Sequence, residues 1–273
     1  MAQETLLVAT YNCNSIRTRL PLVLDWLQRH APALLCLQET KVQDADFPLA
    51  PFEELGYYVA HRGQKAHAGV AMISQEPLQD VSYGLDDGDP PDEARLVRGA
   101  LHGIAVVNTY VPQGYAVDAP QFQYKLAWFR RLRAFFERHY SPTQLLLWMG
   151  DLNVAPEEID VHDPKRLKNH VDFHPDARAA LEEVRTWGFV DVFRRHHPNE
   201  PGHYSYWDYR VPKALERNIG WRVDHIWTTA PLAERSLRAW IDIEARAAER
   251  PSDHTFVAAE FALFPDASPK SGG

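Results

Sequence analysis

Polar residues able to bind a cation or move a proton flank several apolar runs of the sequence. Five of them stand next to predicted strands: Asn12, Glu39, Tyr110, Asp151 and His254. Each alone is typical of a turn or a helix cap, but five in one chain favour a shared site at strand ends, where α/β proteins place ligands. The set offers hard oxygen donors and one imidazole without a thiolate, which suits Mg²⁺ or Mn²⁺ better than zinc.

The elements that must position these residues are strands mixed with helices. Nearly continuous apolar runs predict strands buried on both faces over residues 6–11, 34–38, 70–74, 104–110, 145–149, 223–227 and 256–261. Helical spacing predicts helices through residues 20–27, 122–136 and 180–184, and Gly188 should end the third. The second helix is predicted to have a solvated basic face, which is formed by Lys125, Arg130, Arg131, Arg133 and Arg138. The mixture predicts a layered α/β domain.

Composition and charge exclude several classes of protein. The 273 residues are 45% hydrophobic and 24% charged, which is typical of a globular chain and not of a disordered or collagen-like one. A formal net charge of −8 excludes binding to nucleic acid through bulk positive charge, although a local basic patch or a bound cation can still serve a polyanionic partner. Cys13 and Cys36 are predicted to be reduced core residues. We expect no signal peptide and no membrane span, and hence a cytoplasmic protein.

The motifs around the polar residues follow one another along almost the whole chain. They read YNCNSIR at 11–17, LQETK at 37–41, NTYVPQG at 108–114, GDLNVAPEEIDVHDPK at 150–165, YSYWDYR at 204–210, GWRVDHI at 220–226 and PSDH at 251–254. In this order they resemble the exonuclease III family of abasic-site endonucleases, within the endonuclease/exonuclease/phosphatase superfamily. The length of the fourth motif makes a chance match negligible.

The resemblance implies a fold, an activity and a partner. The fold is an α/β, DNase I-like, four-layer αββα sandwich of two packed mixed β-sheets flanked by helices. It forms one catalytic domain over residues 1–264, and residues 265–273 are predicted to be a disordered tail. The activity is that of a Mg²⁺-dependent DNA repair phosphodiesterase, with Mn²⁺ as a substitute, that cuts 5′ to an abasic site and trims 3′ ends as a 3′–5′ exonuclease. The partner is double-stranded DNA with abasic sites or blocked 3′ ends, and we expect a nucleoid-associated monomer.

The resemblance also assigns roles to single residues. The implied metal ligands are Asn12, Glu39, Asp151, Asn153, Asp253 and His254. The implied catalytic residues are Tyr110, Asp151, Asn153, Asp224 and His254. Asp151 would handle a proton on the water or on the leaving oxygen, and the sequence leaves both roles open. Asp224 would orient His254, as in other His–carboxylate pairs. Because Asp151 and Asn153 are two residues apart, a continuing strand would point both side chains the same way.

A second set of residues is implied to recognise the DNA. Tyr206, Trp221 and Val223 match an apolar pocket for a sugar without a base, and core packing is their alternative reading. The other implied substrate-binding residues are Lys165, Arg166, Lys168, His67 and Gln113. Such basic clusters contact phosphates without reading sequence, so binding should depend strongly on salt. Ser15, His67 and Tyr206 depart from the residues that many relatives carry.

Two other functions remain open from the sequence. One is a phosphatase or phosphodiesterase of the same fold that acts on lipid, inositol or nucleotide, which YSYWDYR and GWRVDHI disfavour because they resemble the repair branch. The other is a catalytically silent nucleic-acid binding module, which the filled acidic and imidazole positions disfavour. A zinc hydrolase is disfavoured because the sequence lacks HExxH, and His196 and His197 are interpreted as surface residues.

Overall fold

The computed structural model describes residues 4–88 and 94–263. The predicted tail over 265–273 and the last residue of the predicted single domain lie outside these ranges. Within them, no helix is long and apolar enough to cross a membrane. The helices of the described ranges are α1 (Ile16–His30), α2 (Ala50–Glu54), α3 (Pro120–His139), α4 (Pro164–Leu167), α5 (Pro175–Arg185), α6 (Val192–His196), α7 (Ala230–Ala233) and α8 (Ile243–Arg246).

The first sheet combines strands from both ends of the chain. Its strands are β1 (Thr5–Asn12), β2 (Leu34–Gln38), β3 (Tyr58–Arg62), β4 (Val70–Ser74), β11 (Ser236–Ile241) and β12 (Val257–Ala262), in the order β11-β12-β1-β2-β4-β3. β1 and β2 are parallel, and the other pairs are antiparallel. Because α1 carries the chain back between β1 and β2, both strands end at the same edge, with Asn12 and Gln38 as register partners.

The second sheet repeats this arrangement. Its strands are β5 (Gln79–Tyr83), β6 (Leu96–Leu101), β7 (Ile104–Tyr110), β8 (Leu146–Asp151), β9 (Phe189–Asp191) and β10 (Asp224–Thr229), in the order β5-β6-β7-β8-β10-β9. α3 connects β7 to β8, the parallel pair of this sheet, and these strands end together at Tyr110 and Asp151. Each sheet is therefore mixed and has one parallel pair whose ends carry polar residues.

The two sheets pack face to face, and helices cover their outer faces. Between the sheets, Val8 and Met72 share a buried apolar cluster with Leu147 and Ile226. Trp26 of α1 belongs to a second cluster on the outer face of the first sheet, and α3 and α5 supply a third on the outer face of the second sheet. The predicted αββα sandwich of two mixed sheets is therefore confirmed.

The predicted elements are present at nearly the predicted places. Each predicted strand occurs with bounds that differ by at most two residues, and the three predicted helices lie within α1, α3 and α5. Gly188 follows the end of α5, where a Cβ would come within 2.5 Å of the Pro142 Cβ. Cys13 and Cys36 are buried free thiols, as predicted.

A buried amide pair links the two sheets beneath the ends of their parallel strands. Gln38 Nε2 donates to Asn108 Oδ1 at 2.8 Å, and Asn108 Nδ2 donates to the carbonyl oxygens of Leu37 and Ala71 at 3.0 and 2.9 Å. Because a buried polar group that loses its partner is costly, these hydrogen bonds fix the position of one sheet on the other.

A buried ion cluster secures the long motif that follows β8. Asp160 accepts hydrogen bonds from Arg222 Nε at 2.7 Å and from the guanidinium of Arg194, and Arg222 Nη2 lies 2.8 Å from Asp191 Oδ2. Burial alone would raise the pKa of Asp160, but the two guanidinium groups outweigh it and lower the pKa to about 2. The cluster therefore attaches the segment between β8 and α4 to β9 and to the residues before β10.

We predict that Asp160→Asn destabilises the protein by about 3–5 kcal/mol near neutral pH, because it leaves buried guanidinium groups short of a counter-charge. Since the pKa of Asp160 is lower in the folded state, its stabilisation is present above the unfolded pKa of about 3.9 and is lost as the pH falls toward about 2. Denaturant unfolding of both proteins as a function of pH measures this. Glu158→Asn, at an exposed position of the same turn, is the control, and equal losses in the two variants would contradict the prediction.

Candidate active site

The ends of the two parallel strand pairs meet at one edge of the sandwich. Asn12 ends β1, Asp151 ends β8, and Glu39 directly follows β2. Asn12 Nδ2 donates to Glu39 Oε1 and to Asp151 Oδ2, each at 2.8 Å. One amide thus joins carboxylates that come from different sheets, and the structure brings these three predicted site residues into direct contact.

Glu39 lies in a turn whose backbone leaves the extended conformation. The φ angle is +52° at Glu39 and +54° at Lys41, a left-handed region that residues other than glycine adopt rarely. The turn places Lys41 Nζ 2.7 Å from Glu39 Oε2. Burial alone would raise the pKa of Glu39, but the Lys41 ammonium and the Asn12 amide outweigh it and lower the pKa. Glu39 is therefore an ionised carboxylate near neutral pH.

Asp151 and Asn153 are neighbours because the chain turns after β8. Asn153 has a φ angle of +49°, and its backbone N–H donates to Asp151 Oδ1 at 2.9 Å. The expectation that a continuing strand points both side chains the same way is therefore wrong, since β8 ends at Asp151. Asn153 Nδ2 donates to the Val111 carbonyl oxygen at 2.9 Å. The turn thus fixes the Asn153 amide against the segment that follows β7.

His254 is held by a buried carboxylate. His254 Nδ1 lies 2.8 Å from Asp224 Oδ2, an oxygen that also accepts a hydrogen bond from Ser205 Oγ at 2.7 Å. Its Nε2 lies 4.0 Å from Asp151 Oδ2. Burial alone would lower the pKa of His254, but the Asp224 and Asp151 carboxylates outweigh it and raise the pKa well above its ordinary value. Burial also raises the pKa of Asp151, an effect that the charge of His254 opposes. His254 is therefore an imidazolium near neutral pH, beside the Asp151 carboxyl group, whose pKa remains well above its ordinary value.

Tyr110 completes the polar surface on the side of the second sheet. Its guanidinium neighbour, Arg95, lies 4.7 Å from the centroid of the ring. Burial raises the pKa of Tyr110, and the carboxylates of Glu39 and Asp151 raise it further. The phenol therefore stays protonated and can donate a hydrogen bond to an anion.

The carboxylates of this site form a donor set suited to a divalent cation. Glu39, Asp151 and His254 each offer an atom within 4.8 Å of the others. Paired carboxylate oxygens are the ligands that Mg²⁺ and Mn²⁺ prefer. His254 fits this role poorly, because Nδ1 bonds Asp224 and the raised pKa keeps a proton on the ring. Asp253, also a predicted ligand, lies outside this group, and its Oδ1 accepts a hydrogen bond from Asn14 Nδ2 at 3.0 Å.

The residues predicted to form an apolar pocket lie side by side next to His254; we call them the sugar pocket (Tyr206, Trp221 and Val223). Tyr206 forms backbone bridges with Trp221 and His254, and its ring centroid lies 4.8 Å from that of His254. Trp221 and Val223 belong to a buried cluster against which Tyr206 packs. Tyr206, Trp221 and Gln113 line an open cleft of about 550 Å³. A small group bound there would lie beside the imidazole.

The predicted phosphate-contacting residues are exposed on two segments, which we call the basic segments (Lys165, Arg166 and Lys168, and His67). Lys165 and Arg166 lie in α4 and Lys168 follows it, and Arg166 lines the same cleft as the sugar pocket. His67 lies on the loop before β4, and two backbone hydrogen bonds join that loop to the turn that contains Glu39. The loop of His67 therefore adjoins the turn that contains Glu39, and α4 adjoins the sugar pocket.

Lys125 does not belong to the solvated basic face that the sequence predicts for the second helix. Its Nζ donates to Asn153 O at 2.6 Å and to Asp172 Oδ1 at 3.1 Å, and also to the carbonyl oxygens of Gln113 and Val171. Burial lowers the pKa of Lys125, and the Asp172 carboxylate opposes this effect. These acceptors compensate the cost of burying the ammonium group. Helical periodicity does not reveal Lys125, because a lysine on an amphipathic helix is normally solvated.

The chain belongs to the endonuclease/exonuclease/phosphatase family, whose sequence profile matches residues 9–254. Exodeoxyribonuclease III from Haemophilus influenzae is 32% identical over 263 residues, which cover 92% of this chain and 98% of that protein. The family resemblance stated from the motifs is therefore confirmed.

Solved structures agree with this assignment over nearly the whole chain. An AP endonuclease from Archaeoglobus fulgidus has a TM-score of 0.92 and 50% sequence identity, and the match covers 94% of this chain and all of that one. A 3′ phosphatase from Neisseria, solved with a product DNA hairpin, has a TM-score of 0.89 and 33% identity at the same coverage.

We predict that Lys125→Met destabilises the protein by about 3–5 kcal/mol, because it leaves the buried Asp172 carboxylate without its counter-charge. It should also slow phosphodiester cleavage by about 10–100-fold with little change in KM, since the Asn153 carbonyl loses its donor and the turn shifts. Denaturant unfolding and steady-state kinetics measure the two effects. Arg130→Met, at an exposed position of the same helix, is the control. An unchanged kcat in Lys125→Met would refute the positioning role.

We predict that Asp224→Asn lowers the pH at which activity is lost on the alkaline side. The substitution removes a carboxylate that raises the pKa of His254, while the burial that lowers this pKa remains. The imidazolium then loses its proton at a lower pH, and the activity that depends on it falls there. A pH profile of kcat/KM, with NMR titration of the His254 ring, tests this against the exposed variant Asp176→Asn. The same alkaline limit in both variants would contradict the prediction.

Proposed function

We propose that this protein is a DNA repair nuclease that cuts the backbone 5′ to an abasic site and trims 3′ ends of double-stranded DNA. The observation that carries the proposal is the contact between Glu39, Asn12 and Asp151 next to His254 and the sugar pocket. Glu39, Asn12, Asp151 and His254 supply the charged and proton-carrying groups that phosphodiester hydrolysis needs. The pocket would select the position on DNA at which the sugar has lost its base. The relatives named exodeoxyribonuclease III and AP endonuclease support the same activity.

The residues of the site divide the chemistry among them. Hydrolysis of a phosphodiester needs an activated water, stabilised charge on the phosphoryl oxygens and a proton for the leaving oxygen. The His254 imidazolium and the Tyr110 phenol donate to the phosphoryl oxygens. Asp151 exchanges a proton with the water or with the leaving oxygen, and Asp224 keeps His254 oriented and charged. Asn153 donates an amide hydrogen bond to the phosphate or to the attacking water.

Mg²⁺, with Mn²⁺ as a substitute, is the cofactor that the donor set favours. Glu39 and Asp151 would hold it, and the Asn12 amide, whose Nδ2 donates to both carboxylates while its Oδ1 accepts from the Asn14 backbone N–H, would position them. The role of Asn12 as a ligand stays a prediction. When bound, such an ion neutralises charge that develops on the phosphoryl oxygens. Its charge would also compensate the buried carboxylate of Asp151. The additional roles of Asp253 and Asn153 as ligands stay predictions.

The substrate would be gripped through its phosphates and selected through its sugar. Tyr206 and Trp221 would offer an apolar surface to a deoxyribose that has lost its base at the open cleft that they line, and the Tyr206 hydroxyl adds one polar group to that surface. The basic segments, whose side chains are exposed, and Gln113 would contact the phosphates of the strand. Since the net charge is −8, these contacts must be local, and binding should weaken steeply with salt. The monomeric state and the nucleoid-associated, cytoplasmic location stay predictions.

Incubation with a labelled duplex that contains one tetrahydrofuran abasic analogue tests the proposal. With Mg²⁺ we expect a single cut 5′ to the analogue that leaves a 3′-hydroxyl, and with EDTA we expect no cut. An undamaged duplex should stay intact or shorten only from its 3′ end. Absence of any cut by the folded protein would overturn the proposal.

We predict that Glu39→Gln lowers the rate of this cleavage by about 100-fold or more, because the candidate cation site loses the carboxylate charge of Glu39. Glu53→Gln, at an exposed position of α2, is the matched control and should stay within about twofold of the unmodified protein. A Glu39→Gln rate no lower than that of the control would refute the assignment of Glu39 as a metal ligand.

A further inference from the structure

A cluster of two histidines and one glutamate lies outside the candidate active site, on the segment between α6 and the sugar pocket. Glu200 Oε2 is 2.9 Å from His197 Nδ1 and 3.1 Å from His203 Nε2. The three ligand atoms lie within 4.8 Å of one another, and no residue is shared with the group formed by Glu39, Asp151 and His254. Each of the three side chains keeps part of its surface exposed, so an ion from solvent can reach them.

The contacts of His197 place a proton on one of its two ring nitrogens. His197 Nε2 is 3.0 Å from the Ala239 carbonyl oxygen, which can only accept a hydrogen bond. Nε2 therefore carries a proton, and Nδ1 is the nitrogen that faces the Glu200 carboxylate. A contact of 2.9 Å between these two atoms is bridged either by a proton on Nδ1 or by a metal ion. A backbone carbonyl that holds the far nitrogen of a ligating imidazole in this way is the usual support of a metal-binding histidine.

We propose that His197, Glu200 and His203 bind a single Zn²⁺ ion. Ligands of a tetrahedral zinc ion with bonds near 2.0–2.1 Å lie roughly 3.3 Å apart, close to the two separations found here. Two imidazoles and one carboxylate select zinc over Mg²⁺, which prefers oxygen ligands. Water would occupy the fourth position. This proposal departs from the interpretation of His197 as an ordinary surface residue, which is drawn from its sequence context.

The segment that carries the three ligands is held in place by the protein alone. Arg194 Nη1 donates to the carbonyl oxygens of His197 and Glu200 at 3.1 and 2.8 Å. The Phe193 ring stacks on the His197 ring at 4.5 Å and meets the edge of the His203 ring at 5.4 Å. Binding of the ion therefore requires little reorganisation, which favours affinity.

The position of the cluster indicates a structural role for the ion. His197 contacts β11 through Ala239, and Arg194 belongs to the ion cluster of Asp160. His203 precedes Ser205, which donates to the carboxylate that orients His254. Zinc would thus restrict the motion of the segment that carries the three ligands and leads into the sugar pocket. It would stabilise the folded protein without taking part in phosphodiester hydrolysis.

Zinc titration of chelator-stripped protein tests the proposal. The Glu39→Gln background is used so that the candidate active site does not compete, and Zn²⁺ uptake is measured against a chromophoric chelator. We expect one equivalent bound, and we expect His203→Ala and Glu200→Gln each to weaken binding by at least about 10–100-fold. His102→Ala, which removes another partly exposed histidine that lies 3.8 Å from a glutamate, should leave zinc affinity unchanged.

Thermal unfolding gives a second and independent readout. Zn²⁺ should raise the Tm of the Glu39→Gln protein and of its His102→Ala variant but not that of its His203→Ala variant, because a ligand that binds only the folded state stabilises it. Circular dichroism establishes that each variant is folded before the titration. Zinc binding that is absent, or that is equal in His203→Ala and His102→Ala, would overturn the proposal. The contacts of Glu200 with the two histidines would then be hydrogen bonds through protons alone.

Discussion

Asn12 donates one hydrogen bond to Glu39 and one to Asp151, each at 2.8 Å, and so holds together two acidic groups that belong to different sheets. The proximity of these two acidic groups depends on this amide and on the packing that fixes one sheet on the other. The Gln38–Asn108 pair beneath them serves that purpose. A slip of one sheet by a single residue would move Asp151 by about 3.3 Å relative to Glu39 and would separate the pair.

The charges of the site balance locally although the whole chain is acidic. Lys41 compensates Glu39, and the Asp224–His254 pair places an imidazolium against Asp151. The buried Lys125 adds no net charge, since Asp172 neutralises it, but it fixes the turn after β8. The acidic oxygens of Glu39 and Asp151 therefore form one compact, largely buried group next to Tyr206 and His254, and exposed basic residues lie on neighbouring segments. This arrangement suits a divalent cation and a phosphate chain that approach from solvent.

The sequence alone predicts seven of the twelve strands of the described residues and the polar strand ends, because strands buried on both faces read as continuous apolar runs. It misses the central strand β6, whose apolar run is interrupted by Arg98 and Gly99. It does not predict β3 and β11, edge strands that expose side chains such as Tyr58 and Leu237 and therefore lack that pattern. The motifs identify the family, but a contact such as Lys125 with Asp172 joins residues 47 positions apart and depends on packing that no local pattern records. The same holds for His197, whose Nε2 contacts a carbonyl oxygen of β11.

A double-mutant cycle on Glu39 and Asp151 tests most directly whether carboxylates from the two sheets act as one site. Single-turnover cleavage of the abasic duplex would be measured for the unmodified protein, Glu39→Gln, Asp151→Asn and the double variant. If the two carboxylates serve one cation and one phosphate, the double variant should be hardly slower than the slower single variant, because either loss already disables the unit. Fully additive effects on the free energy of activation would show two independent groups and would contradict this account.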